Sequence, residues 1–179
     1  MIGIVNQTGA RSGVVGTTVG TPAAAILQLL STTITAATAN ITTSDSWEDL
    51  TGMTATITPS STSNKIFVSW IVNIGGGDED VVGIRMVRDS TVIGAGDAAG
   101  SRYSLWGTYR TMGAQSYEVS PMSGEFLDSP SSTSATVYKL QWILPEGSSS
   151  VFMNRAFSDA DNADRSRSAS TITIMEVSA

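Results

Sequence analysis

The chain has 179 residues, 41 % of them hydrophobic, which is enough for one domain with a real core and excludes wholesale disorder. Its net charge is −6, and its few Lys and Arg form no cluster, so nucleic acid is not an expected partner; phosphate binding needs concentrated positive charge. The absence of both His and Cys removes the Ser-His-Asp triad, thiolate nucleophiles, His or Cys metal sites and disulfides.

Charged residues make up only 15 %, against ~25 % in typical soluble domains. Ser, Thr, Gly and Ala fill the difference. That composition suits either a component of an assembly or a weakly charged β-domain.

Residues Met1 to about Pro22 are rich in Gly and Thr and hold no period, so an extended arm over residues 1–25 is expected ahead of a domain at 26–179. Ile2, Ile4, Val5, Val14, Val15 and Val19 are costly to leave in water. They are the candidates for anchoring such an arm on a neighbouring subunit; the alternative is a frayed terminus. No basic stretch followed by an apolar one opens the chain, so no secretory signal is expected. Ser12 to Ser44 carries no charge, yet polar residues interrupt every apolar run well short of the ~20 needed to span a bilayer, and no membrane partner is expected.

Thr21-Pro22-Ala23 could start a helix, with Thr21 as cap and Pro22 in the first turn. The β-branched run Ser31-Thr32-Thr33-Ile34-Thr35 follows without a break. One helical turn at most, then a strand from about Ile26 to Ile34, is the expectation. Thr51-Gly52 predicts a turn and Met53–Thr58 a strand closed by Pro59.

The best strand is Lys65–Ile74, where Ile66, Val68, Trp70, Val72 and Ile74 share one face at period two. Gly75-Gly76-Gly77-Asp78 is expected to end it. Asp80–Asp89 and Thr91–Gly94 predict a hairpin with Arg85 and Arg88 pointing out. Ala135–Leu144 is the second strong strand, with Tyr138, Leu140, Trp142 and Leu144 on one face. Val151–Arg155 is expected to return as its hairpin partner, and Thr171–Val177 to end the chain as a buried strand. Short strands between Gly, Pro and Ser turns, with almost no helical period, predict an all-β, antiparallel two-sheet sandwich.

A sandwich buries one face of each sheet. Phe67 with Ile71, and Val137 with Ile143, lie opposite the predicted core faces of the two best strands. Their apolar character calls for a second cover, and self-association is the usual one, so these four are candidate interface residues.

Three stretches resemble recurrent segments of bacteriophage virion proteins: Thr43 to Val68 with its Ser46-Trp47-Glu48-Asp49-Leu50 start, Phe126-Leu127-Asp128-Ser129-Pro130 to Leu140, and the closing Ala169 to Val177. Domains of this kind are similar to trimeric jelly rolls of the tumour-necrosis-factor and C1q type. They occur on tail fibres and as head decorations. The resemblance therefore implies a jelly-roll sandwich, a homotrimer and a place in the virion, and it brings no catalytic residues or cofactors. A short arm whose one charged side chain is Arg11, with no heptads or shaft, fits a capsid decoration (cement) protein whose partners are the major capsid protein or other virion proteins. The alternative is a tail-fibre or tail-tip module that recognises host surface glycan.

Other chemistry is sparse. Gly94-Ala95-Gly96-Asp97-Ala98-Ala99-Gly100 is neither a dinucleotide nor a Walker loop. Asp159-Ala160-Asp161-Asn162-Ala163-Asp164 resembles the start of a calcium loop but lacks its central Gly and closing Glu, and Asp78-Glu79-Asp80 is a second acidic cluster; solvated loops are the simpler account of both. No carboxylate pair among the sixteen acids stands out for glycoside hydrolysis, so no enzyme is expected. Trp47, Trp106, Trp142, Tyr103 and Tyr109 could stack on sugars or fill a core; the loop-rich surroundings of Trp106 and Tyr109 make those two the glycan candidates.

Overall fold

Period-two alternation decides the architecture. The computed structural model describes residues 25–42, 46–77, 81–111, 117–145 and 150–179. These residues form eleven strands, and no helix is found among them: β1 (Ile26–Ile34), β2 (Thr38–Thr42), β3 (Glu48–Ile57), β4 (Lys65–Gly76), β5 (Val81–Arg88), β6 (Thr91–Ile93), β7 (Gly107–Arg110), β8 (Ser120–Asp128), β9 (Thr136–Ile143), β10 (Ser150–Met153) and β11 (Ser170–Val177). The arm residues Ile2, Ile4, Val5, Val14, Val15 and Val19, and the acidic cluster Asp78–Asp80, lie outside the described residues.

All pairings are antiparallel, in two sheets. In the first, β4 pairs β11 along residues 65–71 and β8 on its other edge along residues 66–74. β1 flanks β11, while β10 takes up β4 from Ile74 to Gly76 and is flanked by β2. The sheet is thus four positions wide: β1/β2, β11/β10, β4, β8. The second sheet runs β3, β9, β5, with β6 and β7 sharing the far edge of β5. From β2 onward the chain crosses repeatedly between the sheets, so that β4 and β9, distant in sequence, become the central strands. This is a jelly-roll connectivity.

The core lies between the sheets. Ile66, Val68, Trp70, Val72 and Ile74 of β4 meet Tyr138, Leu140 and Trp142 of β9 and Val82, Ile84 and Met86 of β5, with Ile172 and Ile174 of β11 and Met53, Ala55 and Ile57 of β3. The inward faces of β4 and β9 are those the alternation predicts, and β11 turns Ile172 and Ile174 inward.

Four sequence expectations change, each for a local reason. β4 runs through Gly75 and Gly76 because the chain packs tightly there: the Thr111 side chain and Val151 crowd Gly76, and the Arg155 and Glu118 carbonyls crowd Gly75, leaving no room for a Cβ. Thr51-Gly52 is not a turn. Gly52 sits inside β3 at φ 85°, where the β3–β9 register shifts between Asp49 and Thr54, so one strand absorbs a bulge. β10 does not return on β9 but crosses to the first sheet.

Arg88 does not point out. It shares the parity of Ile84 and Met86, so its guanidinium lies between the sheets, where it meets the Asp128 carboxylate at 2.8 Å. The Tyr138 hydroxyl donates to the same carboxylate at 2.7 Å. Burial first, and then the bond to Asp128, pushes the Tyr138 phenol well above its ordinary pKa. This group ties β8 of one sheet to β5 and β9 of the other.

Candidate interaction surfaces

Because directly opposed residues share a face, the register sets the composition of each outer surface. On the outside of the first sheet, Leu29, Met175, Phe67 and Leu127 stand in one row across β1, β11, β4 and β8. The next row, Ser31, Thr173, Ser69 and Glu125, is polar, with Ser31 and Thr173 joined hydroxyl to hydroxyl at 2.8 Å. Ile71 follows beside Thr171 and Ser123. Leu29 is 59 % exposed, Leu127 51 % and Ile71 40 %, while Phe67 and Met175 are half-buried. An apolar band therefore crosses all four strands.

β1 exposes apolar side chains beyond this row, with Leu30 on the opposite face, across from Ile174. Among the described residues this strand pairs only with β11, and it exposes Ile26, Leu27, Leu29 and Leu30. It carries no charge and no proline, the usual devices that keep an edge strand from pairing further.

β1 is held at its start by a buried carboxylate. Glu176 shares the inward parity of Ile172 and Ile174 and is fully buried. It accepts hydrogen bonds from Gln28 Nε2 (2.5 Å), Ser60 N (2.6 Å), Ser60 Oγ (2.7 Å) and Asn64 Nδ2 (2.6 Å). Burial alone would raise its pKa; the Asn64, Ser60 and Gln28 donors outweigh burial and hold it below the ordinary glutamate value. Two further bonds close this end of the fold: Ala25 N donates to Ser178 Oγ, and Ser178 N to Ala25 O, each at 2.9 Å.

The outer face of the second sheet is polar and aromatic. Asp49, Gln141 and Arg85 stand in one row across β3, β9 and β5. Gln141 Nε2 donates to Asp49 at 2.6 Å, Arg85 Nε donates to Gln141 Oε1 at 2.8 Å, and Lys139 Nζ reaches Asp49 at 2.8 Å. The Lys139 bond chiefly, with help from Gln141 and the Arg85 charge and against partial burial, holds the Asp49 carboxyl below its ordinary range. The Arg85 guanidinium lies over the Trp47 ring, 3.9 Å from its centroid. Tyr103 meets the same ring edge-on at 6.2 Å.

The four interface candidates divide between these opposite faces. Phe67 and Ile71 lie on the outside of the first sheet, in or beside the apolar band. Val137 lies half-buried on the outside of the second, opposite Thr56. Ile143 also points outward but is fully buried, because Leu105 of the same chain folds over it where Gly83 leaves a gap in β5. It therefore has no surface to offer a second subunit. The row mates Leu29, Met175 and Leu127 were not singled out from the sequence, since they show only once the register is known.

Trp106 and Tyr109 pack on the edge of the core: Trp106 meets Trp70 edge to face at 6.1 Å, and Tyr109 pairs with Val82. Trp47 and Tyr103 are instead brought together at a surface, with Tyr103 43 % exposed. Asp159 faces two arginines, Arg167 at 2.5 Å and Arg155 at 3.7 Å. Among the described residues no three His, Cys, Asp or Glu come together as metal ligands. No protein-family model and no curated protein matches the sequence.

Proposed function

We propose that this chain is a non-enzymatic structural protein of a bacteriophage particle: a homotrimer that decorates and stabilises the head, anchored by its N-terminal arm. The observation that carries this reading is the apolar band Leu29–Met175–Phe67–Leu127 with Ile71 beside it. A lone copy leaves that hydrocarbon wet, and burying one such side chain stabilises by about 1.5–3 kcal/mol. A second copy is the natural cover for a face of this kind. The resemblance to phage β-domains supplies the threefold arrangement and the virion location. A sequence without His or Cys, in which Asp128, Asp49 and Glu176 pair with an arginine, a lysine and an amide, supports a binding rather than a catalytic role.

Sedimentation equilibrium of the purified chain at micromolar concentration tests the assembly. Three times the chain mass is expected, and a stable single chain would overturn it. Deleting Met1–Gly20 should leave the trimer intact and abolish binding to undecorated heads. Undiminished binding by the truncated chain would remove the arm from the account.

A second reading, a glycan-recognising module at a tail tip, is favoured by one observation: the surface grouping of Trp47, Tyr103 and Arg85.

A further inference from the structure

We propose that the outer face of the second sheet, at Trp47, Tyr103, Arg85, Gln141, Asp49 and Lys139, binds a glycan through a pyranose bearing a single carboxylate, such as a uronic or sialic acid. The inference rests on the second reading above and names its site and ligand class.

The C–H face of a pyranose packs on aromatic rings, and Tyr103 and Trp47 present two rings at 84° to one another on a surface. Arg85 supplies the charge. Its Nε is committed to Gln141, and stacking on Trp47 fixes the plane of the guanidinium. It makes no ion pair among the described residues, which leaves its terminal amino groups for a carboxylate in the two-pronged geometry arginine favours.

The neighbouring groups fit the rest of a sugar. Lys139 and Gln141 each keep a donor beyond the bond to Asp49, and each Asp49 oxygen can accept another hydroxyl. Asp49 already neutralises Lys139, so a single cation is left over. That charge balance matches one acidic residue in a glycan and not a polyanion such as a nucleic acid. The site is also rigid: the polar groups sit on three paired strands, and the hydrogen-bond chain Lys139–Asp49–Gln141–Arg85 sets their rotamers before any ligand arrives.

The test is ligand-observed and protein-observed NMR titration of the full-length chain with sialyllactose, a glucuronate-terminated disaccharide and lactose. At least one acidic sugar should bind five-fold or more tightly than lactose. Tyr103→Ala should weaken that binding ten-fold with an unchanged melting temperature, and Arg85→Gln should erase the preference for the acidic sugar. Equal affinity for lactose would overturn the acidic class. Binding undisturbed in both variants would place the sugar elsewhere, ending this proposal while sparing the glycan reading. No binding to any of the three would end both.

Discussion

A buried carboxylate with four donors is an unusual element in a core of isoleucine and valine, and its contribution depends on pH. The Glu176 pKa is depressed in the folded chain, so the group stabilises the fold above the ordinary glutamate value, and that contribution is lost as pH falls through the folded value. Glu176→Gln can keep a carbonyl oxygen toward Ser60 and Asn64, but it then sets its NH2 against the Gln28 Nε2 donor. A loss of about 1–3 kcal/mol is expected at neutral pH. In thermal melts the gap between the two proteins should close from about pH 5 downward. An equal gap at neutral and acid pH would show that the difference does not come from the Glu176 charge. The direction of Glu176 was legible in the sequence, because it shares the parity of Ile172 and Ile174. Its partners were not, for Asn64 and Gln28 lie 112 and 148 residues away and only the fold brings them near.

At the scale of the elements, close approach explains what hydrophobic periodicity left open. β8 can lie under two tryptophans because residue 124 has no side chain. A Cβ there would sit 2.5 Å from the Trp106 ring and 2.6 Å from Trp70. Neither ring can give way, since one is buried in the core and the other packs on it. Gly124→Ala should cost toward the upper end of about 1–3 kcal/mol, read from denaturant midpoints. A neutral result would show that the Trp70–Trp106 contact is loose. β4 and β9 were plain in the sequence because each is long and carries a large apolar residue at every second position. The Gly52 bulge, the passage of β4 through Gly75 and Gly76, and the crossing of β10 to the other sheet were not. Each is set by a partner strand or loop distant in sequence, and single-strand periodicity carries no information about partners.

For the whole molecule, the sequence showed that strands were apolar on both faces but not how those faces were shared out. Phe67 and Ile71 came to lie in or beside a band with Leu29, Met175 and Leu127. Ile143 was covered from within by Leu105. Charge placed on the band separates the roles of assembly and folding. Leu29 and Leu127 are more than half exposed, so Leu29→Lys with Leu127→Lys should move folding stability by no more than about 0.5 kcal/mol per site. The same pair should shift sedimentation from the oligomer to the single chain. Persistence of the oligomer would send its contact to another surface, such as the half-buried Val137 side.

The reciprocal bonds between Ala25 and Ser178 place these two residues side by side, near the 58–64 and 129–135 turns. Trp47 and Tyr103 gather toward the other end of the second sheet, since Glu48 pairs with Trp142 while Ile57 pairs with Thr136. A copy tethered through its first residues would thus hold its tether at one pole and its rings toward the opposite one. On the proposed arm anchoring, Ser178 shares the tethered pole, so a display site would be better sought near the rings.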